Sequence, residues 1–405
     1  MGQNAKPYPP VNCGFASLKE GTIMPPLKTI LVGAGGYAAN YVKMLLHPKM
    51  ADELQFIAVV DPYAAASPEY ERFKHLPIYN QLSDFFAEHT ADLAIISTPI
   101  HFHFEQCMTA LDNGAHVLCE KPLVPTIKEL DQLAEKVRTT GKSLAVGFQL
   151  SFASLMLQLK ERILSGEFGK PISLKAFVSW PRDWAYYARS AWAGKLFSAD
   201  GKPINDSVAS NATAHYIHNM LFMLGPGIAE AAPLQSLSAE CYRANDIETF
   251  DTIVFRGKAA GADIFYTASH ATDVTIHPTL EYTFENACIK IDIYKPADYC
   301  TIYHNDGRVE QLSEDLDDGD WNKVAFTAQS IKGLRPQICN IETVRPFTAV
   351  IDSVFANVPF RPFKPEFVTA DLENKCTYVK DLHLALMEGH KQCKLPSEMG
   401  FPWAL

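Results

Sequence analysis

Residues 27–61 read LKTILVGAGGYAANYVKMLLHPKMADELQFIAVVD, and this stretch decides the fold of the first half of the chain. An apolar run, TILV, leads into a glycine turn, and a helical pattern, AANYVKMLL, follows it. The turn has the pattern GxGxxA and consists of Gly33, Ala34, Gly35, Gly36, Tyr37 and Ala38. In such a turn the first glycine permits the tight bend, the second lets backbone N–H groups approach a diphosphate, and Ala38 allows close packing. The free N–H groups and the positive dipole end of the following helix attract phosphate, so the stretch predicts a dinucleotide site.

Asp61 ends the second predicted strand, IAVVD, at the distance where an acidic residue accepts hydrogen bonds from the adenosine ribose. A carboxylate at this place repels a 2'-phosphate, which favours NAD over NADP. The alternative interpretation is a glycine turn in an unrelated α/β domain. The strand, the helix and the acid together favour the dinucleotide site.

Composition bounds the class of protein. The chain has 405 residues, 47% hydrophobic and 20% charged, which is typical of a globular protein with two domains. Its 36 Lys and Arg against 46 Asp and Glu give a formal charge of -10, and no dense basic run favours nucleic acid or anionic lipid. No apolar stretch is long enough for a membrane span and the first residues lack a signal-peptide layout, so we expect a cytoplasmic location. The nine scattered cysteines, without any CxxC, predict reduced, mostly buried thiols rather than disulfides or a structural metal.

The hydrophobic pattern divides the chain into three parts. Residues 1–26 are rich in Pro, Gly and Asn and predict an extended arm or leader. Residues 27–149 alternate short Val/Ile/Leu runs with helical stretches, which predicts a doubly wound parallel sheet of the Rossmann type. In residues 150–405 seven strand-like runs predict a mostly antiparallel sheet, with helices on one face. The helical patterns of this part lie at 153–165, 209–224, 342–357 and 370–390.

Three further segments carry a resemblance to a known family: STPIHFHFEQCMTALDNGAHVLCEKP at 97–122, VGFQLSF at 146–152 and NATAHYIHNMLFMLG at 211–225. With the GxGxxA turn, they make the chain similar to the Gfo/Idh/MocA oxidoreductases. The resemblance implies a Rossmann domain, a C-terminal α/β domain whose open sheet forms a homodimer or homotetramer, and NAD(P)-linked chemistry on sugars or polyols.

The resemblance also implies site residues. Thr98, Pro99 and His103 match the family's TPxxxH loop, and Glu120-Lys121-Pro122 matches its EKP signature, whose lysine contacts nicotinamide ribose and substrate hydroxyl. Gln149 stands at a family position close to substrate. A lysine beside the nicotinamide suits removal of hydride from an alcohol, because its charge favours the developing alkoxide. The predicted cofactor-binding residues are therefore Gly33, Gly35, Gly36, Tyr37, Ala38, Asp61, Thr98, Pro99, His103, Glu120 and Lys121.

His215 falls where the family's DxGxHxxD segment carries its catalytic histidine, and it is the predicted proton acceptor beside Lys121. At 100° per residue, Asn211, His215 and His218 share one helical face, which we expect to look into a cleft as a substrate-binding surface. Here the sequence departs from its relatives, because Asn211 and His218 replace two acidic residues. Without the carboxylate, His215 becomes a weaker base, and Asp206 is a candidate substitute.

Residues 180–207 crowd three tryptophans and two tyrosines with Arg182, Arg189 and Lys195. Arg182 is the predicted substrate contact in this segment, and the aromatic rings suit either sugar stacking or a domain interface. The His101/His103 and His215/His218 pairs lack a third ligand at a helical spacing, so no metal is predicted. The acidic run 314–320 misses the calcium-loop spacing and predicts a solvated turn.

These residues together predict an NAD-dependent oxidoreductase acting on a ring hydroxyl or ketone of a sugar, glycoside or cyclitol. One alternative retains NAD and cleaves glycosides by transient oxidation. The other is a regulatory protein that binds NAD or sugar without catalysis.

Overall fold

The structure is a computed structural model that describes residues 24–295, 299–312 and 318–404. The predicted arm, up to residue 23, and residues 314–317 of the predicted acidic turn lie outside the described residues. Within the described ranges, no helix is both long enough and apolar enough to cross a membrane.

The first sheet is the parallel sheet that the sequence predicts, with six strands in the order β3-β2-β1-β4-β5-β6. Its strands are β1 Leu27–Val32, β2 Leu54–Val60, β3 Ile78–Tyr79, β4 Leu93–Ile96, β5 His116–Cys119 and β6 Leu144–Val146. The crossover helices are α1 Ala38–Leu45, α2 Tyr70–Phe73, α3 Leu82–Glu88, α4 Ile100–Asp112 and α5 Ile127–Thr140. Because the strand order reverses between β1 and β4, a crevice opens at their carboxyl ends, where ligands bind in such sheets.

The second sheet has nine strands in the order β14-β13-β12-β11-β7-β10-β9-β8-β15. Only the pairs β7–β10 and β8–β15 are parallel, which confirms the mostly antiparallel prediction. The strands are β7 Pro171–Ser179, β8 Leu234–Arg243, β9 Thr252–Ala259, β10 Ala262–Ser269, β11 Ile276–Phe284, β12 Ala287–Asp292, β13 Cys300–His304, β14 Val309–Leu312 and β15 Phe360–Pro362.

Helices of this second half are α6 Ser154–Leu164, α7 Trp184–Ala188, α8 Ala214–Met223, α9 Gly319–Ile331, α10 Ile341–Asn357 and α11 Leu382–Gln392. The helix predicted at 370–390 is wrong in its first half, where a hairpin of β16 Val368–Asp371 and β17 Cys376–Val379 forms. The β-branched and aromatic residues of CTYV favour a strand. Lys375, in the connecting turn, has a left-handed φ of 51° that a continuous helix would not allow.

Helices cover both faces of the second sheet, so the prediction of helices on one face is wrong. Leu382 and Leu386 of α11 pack with Phe177, Val254 and Phe265 on the face opposite α8 and α10. Trp403 extends this cover. The family resemblance implies an open face for contacts between subunits. Helix α11 and Trp403 instead cover the centre of that face.

Helix α9 crosses back from the second half of the chain to the first sheet. Val324 and Ala328 are fully buried against Leu31, Ile95 and Leu118 of the parallel strands. Helix α9, from beyond the predicted division at residue 149, therefore supplies part of the cover of the first sheet. Its first turn also lies beside the glycine turn, where Tyr37 donates a hydrogen bond to Asp320.

Candidate active site

A cavity of about 980 Å³ runs from the carboxyl ends of the parallel strands to the N-terminal end of α8. Most of the predicted site residues line this one cavity. They are Gly33, Gly35, Gly36, Tyr37, Asp61, Thr98, Pro99, His103, Glu120, Lys121, Gln149, Asn211 and His215. Three predicted residues, Ala38, Arg182 and His218, are not on its wall.

The glycine turn has the geometry that a diphosphate requires. Gly33 has a left-handed φ of +87°, and a Cβ built on it would lie 2.6 Å from the carbonyl oxygen of Ser97. Around Gly35, no atom of the described residues other than the glycine and its chain neighbours lies within 4 Å of such a Cβ, so its backbone faces open space. Ala38 is fully buried where α1 packs on the sheet. The turn therefore fits the phosphates of a dinucleotide, with room for them at the second glycine.

Asp61 lies on the cavity wall at the end of β2, and it also holds the turn in place. Its Oδ2 accepts a hydrogen bond from the N–H of Ala34 at 2.7 Å, and its Oδ1 accepts one from the N–H of Tyr63 at 2.7 Å. Each carboxylate oxygen has a second lone pair, so the side chain keeps the capacity to accept a ribose hydroxyl.

His103 connects two loops at the cavity floor. Its Nε2 lies 2.8 Å from the carbonyl oxygen of Thr98, and its Nδ1 lies 3.0 Å from that of Pro122. Burial lowers the pKa of His103, against the opposing effect of these carbonyl contacts. A neutral ring has one N–H and donates to the carbonyl oxygen of only one of these loops, but both ring nitrogens face protein groups and have little capacity left for a ligand.

Glu120 is 7% exposed, and its carboxylate is held by groups of the protein. Its Oε1 accepts hydrogen bonds from the Tyr41 hydroxyl at 2.7 Å and from the Lys323 ammonium at 2.8 Å. Its Oε2 accepts one from the backbone N–H of Lys121 at 3.1 Å. The predicted cofactor residue thus orients the loop that carries Lys121.

Lys121, Asn211 and Asp206 form a polar chain across the cavity. The Lys121 Nζ donates to the carbonyl oxygen of Asn211 at 2.9 Å and lies 3.3 Å from its Oδ1. The Asn211 Nδ2 donates to Asp206 Oδ1 at 2.9 Å. Asp206 Oδ2 accepts the N–H of Gly194 at 2.7 Å. The candidate carboxylate is therefore present, one amide away from the lysine.

Burial is the largest cause of the pKa shifts of Lys121 and Asp206. It lowers the pKa of Lys121, although the charge of Glu120 raises it. It also raises the pKa of Asp206, against hydrogen bonds from Gly194 and Asn211. Both shifts bring the two groups toward their neutral forms, as expected for charges removed from water.

His215 is presented to the cavity by an irregular turn. Residues Val208–Ala212 form a single turn of π-helix ahead of α8, and such turns occur frequently at functional sites. Burial and the nearby charge of Lys121 lower the pKa of His215 well below its ordinary value. The ring meets Phe148 edge-on, and within the described residues its Nδ1 has no hydrogen-bond partner. His215 is therefore a neutral imidazole at pH 7.

His218 does not face the cavity, because α8 is buried on all sides rather than on one. Its side chain is fully buried, stacks on Phe148 at 4.1 Å and contacts Ser151 Oγ at 2.9 Å. Burial lowers its pKa to about 3. The structure gives His218 a position in the core, where substrate does not reach.

The aromatic segment contributes one ring to the cavity and packs another within the second half of the chain. Trp192 lines the cavity, beside the open end of α8. Trp180 instead packs against Tyr216 in the second half of the chain. Arg182 lies over the rings of Trp180 and Tyr186, away from the cavity wall.

Among the described residues, one cluster has the composition of a metal site, formed by Glu167, His304 and Glu310. Arg162 donates paired hydrogen bonds to both carboxylates and offsets one of their two charges. It lies outside the cavity.

Lys323 of α9 is the participant that the sequence interpretation missed. The sequence around Lys323 indicates a helix, because apolar residues stand at helical spacing at Trp321, Val324, Ala328 and Ile331. Nothing in that pattern indicates that the helix returns to the first sheet.

The comparisons with known proteins agree with this geometry. Residues 27–148 match the model of the Gfo/Idh/MocA family, described as an oxidoreductase family with an NAD-binding Rossmann fold. D-glucoside 3-dehydrogenase of Escherichia coli is 27% identical over 154 residues, which cover 38% of this chain and 43% of that protein. The scyllo-inositol 2-dehydrogenase (NAD(+)) of Bacillus subtilis is 40% identical over 87 residues, covering 22% and 25%.

Among solved structures, the WlbA dehydrogenase from Bordetella pertussis, in complex with NADH and UDP-GlcNAcA, has a TM-score of 0.66 at 19% identity. The match covers 82% of this chain and 96% of that one, and it shows a common fold. The chain spans less than half the length of the two curated relatives named above. The likeness to the Gfo/Idh/MocA oxidoreductases is therefore shown for residues 27–148, which match that family's model of a Rossmann domain.

Proposed function

We propose that the protein is an NAD-dependent oxidoreductase that moves hydride between nicotinamide and a ring hydroxyl or ketone of a sugar, glycoside or cyclitol. One observation carries the proposal: Lys121 and His215, from distant parts of the chain, line the same cavity as the glycine turn. When bound, the nicotinamide ring supplies the hydride acceptor or donor. The protein supplies orientation, charge and a path for the proton.

Lys121 and His215 have separate roles in the proposed reaction. The ammonium of Lys121 stabilises negative charge as the substrate hydroxyl becomes an alkoxide. His215 is deprotonated at neutral pH, so its ring is in the form that accepts the hydroxyl proton. The lowered pKa makes it a weak base, in the direction expected from Asn211 in place of an acid. Asn211 holds the lysine, and Gln149 lies on the wall of the same cavity.

The cofactor preference rests on Asp61. Its carboxylate lies on the cavity wall beside the glycine turn and would repel the additional phosphate of NADP. NAD is therefore the proposed cofactor.

The substrate class rests on the polar chain and on the relatives. Groups that hydrogen-bond hydroxyls line the inner end of the cavity together with the ring of Trp192, which suits a polyhydroxylated ring. The named curated relatives act on a glucoside and an inositol, according to their names.

The test is a panel of sugars, glycosides and cyclitols with NAD and NADP, read as absorbance of the reduced cofactor. We expect turnover with NAD, and a rate loss of about 10²- to 10⁴-fold in Lys121→Ala. Lys128→Ala, an exposed lysine on α5, is the matched control and keeps the rate. Normal turnover by Lys121→Ala would overturn the assignment of roles.

The same panel separates the two alternatives. Glycoside cleavage without net NADH indicates an enzyme that recycles its hydride. NAD binding by calorimetry, with no turnover on any member, indicates a regulatory protein.

We also propose a homodimer or homotetramer in solution. Because the centre of the second sheet is covered, the proposed contact between subunits lies at the outer strands, where Tyr303 and Val309 are exposed. Light scattering measures the assembly, and a monomer at all concentrations would contradict it.

A further inference from the structure

Lys323 is 0% exposed and is surrounded by polar partners near the glycine turn. Its Nζ lies 2.8 Å from Glu120 Oε1, 2.8 Å from the Tyr37 hydroxyl and 3.1 Å from Asp320 Oδ1. It also lies over the rings of Tyr37 and Tyr41, at 4.6 and 4.7 Å from their centroids. An ammonium has three hydrogens, and three acceptors are in place for them.

A charge buried to this degree is costly unless it is paired and hydrogen-bonded. The carboxylates of Glu120 and Asp320 provide the pairing, and one of them adjoins Lys121 in sequence. The cluster therefore connects α9 to both cofactor-side elements: Tyr37 belongs to the glycine turn, and Glu120 belongs to the loop after β5. A lysine used only to attach α9 to the sheet would not need these two partners.

Lys332, at the other end of α9, is such a lysine. It is also buried, and its Nζ donates to Glu53 Oε2 at 2.6 Å and to the carbonyl oxygen of Asp52 at 3.0 Å. Neither Asp52 nor Glu53 lines the cavity. The same helix thus carries two buried lysines that pair with the first half of the chain, one near the cavity and one away from it.

We propose that Lys323 is a positioning residue of the active site, which holds the Glu120 carboxylate and the Tyr37 ring in the geometry that cofactor and Lys121 require. This inference rests on the proposed function. Lys323 acts through its neighbours, since Tyr37 and Glu120 line the cavity and Lys323 does not.

The charge of Lys323 reaches the reacting groups as well. After the larger effect of burial, it contributes to lowering the pKa of Lys121 and of His215. Both pKa values should therefore rise in a variant that lacks the ammonium.

The experiment compares Lys323→Met with Lys332→Met in the full chain. Calorimetry gives the Kd for NADH, and the pH dependence of kcat/KM gives the ionisations of the free enzyme. We expect Lys323→Met to weaken NADH binding by about 10- to 100-fold and to move both pH limbs upward. Lys332→Met should lower the unfolding temperature and leave the Kd and the pH limbs unchanged.

Lys323→Met together with Glu120→Gln removes both buried charges, which keeps the test available if the single variant does not fold. Weak NADH binding by this folded double variant supports the inference. If Lys323→Met or the double variant binds NADH as the wild type does and has the same pH limbs, the inference is overturned while the proposed function stands. Absence of NADH binding by the wild type overturns both.

Discussion

The cofactor half and the reacting half of the cavity are built in different ways. The cofactor half consists of backbone groups within 29 residues of one another, from Gly33 to Asp61, on one strand-turn-helix-strand unit. The reacting half consists of buried and half-buried side chains, Lys121, Asp206, Asn211 and His215, brought together over about 90 residues of sequence separation. The cofactor half depends on backbone shape and the reacting half on paired charges. Substitutions in the two halves should therefore change different measured quantities.

Gly33→Ala should have the largest effect on the cofactor half. The new Cβ would lie 2.6 Å from the Ser97 carbonyl oxygen, at a φ that disfavours any side chain. We expect the free energy of unfolding to fall by roughly 2–4 kcal/mol and NAD affinity to fall by about 100-fold or more. Thermal unfolding and calorimetry measure the two.

Gly35→Ala is the matched control, since among the described residues only its chain neighbours would lie within 4 Å of its Cβ. Stability should stay unchanged while NAD affinity falls by roughly tenfold, because the methyl group obstructs the approach of phosphate to the backbone. Equal loss of stability in both variants would contradict this account of the turn.

Prediction from sequence succeeds where structure is local. Short segments of sequence are enough to predict the glycine turn, the parallel strands and the loops around Thr98 and Lys121. Strand burial and turn geometry depend on neighbouring residues. Lys121 and His215 could be paired only through the family resemblance, since no periodicity connects segments so far apart.

The errors have a common origin in tertiary packing. His218 shares a helical face with His215, yet α8 is enclosed on all sides, so the same face carries a cavity residue and a core residue. Lys323 lies on a helix whose sequence does not indicate which sheet it covers. Such placements depend on contacts that form only in the complete fold.

Asp206→Asn tests whether the reacting half depends on charge. The amide cannot accept from both the Gly194 N–H and the Asn211 Nδ2, so the chain that holds Lys121 is disturbed. We expect kcat to fall by about tenfold. Because the charge of Asp206 raises the pKa of Lys121, its loss should move the alkaline limb of the pH profile to lower pH.

The control for this variant is Asp200→Asn, an exposed residue of the same segment, which should keep both the rate and the pH limbs. An Asp206→Asn enzyme with the wild-type pH profile would show that Asp206 is only a structural acceptor.

Asp61→Asn connects the two halves of the comparison, because it changes a charge within the backbone-built half. Asparagine can keep the bond from the Ala34 N–H but not the repulsion of a 2'-phosphate. The ratio of kcat/KM for NAD to that for NADP should fall by at least about tenfold. Asp92→Asn, which accepts the N–H of Lys28 at the opposite end of the sheet, should leave the ratio unchanged.

Lys160 tests whether a buried lysine with a lowered pKa marks a reacting site by itself. It lies outside the cavity, fully buried, and donates to the carbonyl oxygens of Phe222, Gly225 and Glu230. Burial lowers its pKa to about 7, from an ordinary value of 10.5. Between these two values the unfolded chain binds the proton that the folded protein has released, so stability should rise with pH.

The expected slope for this one group approaches 1.4 kcal/mol per pH unit, about one proton, and it should be missing from Lys160→Met. Chemical unfolding between pH 7 and 9 measures the difference between wild type and variant, with the exposed Lys170→Met as control. Turnover by Lys160→Met should equal that of the wild type. If its kcat fell as in Lys121→Ala, burial of the ammonium rather than its place in the cavity would determine catalysis, and the distinction between the two halves would not hold.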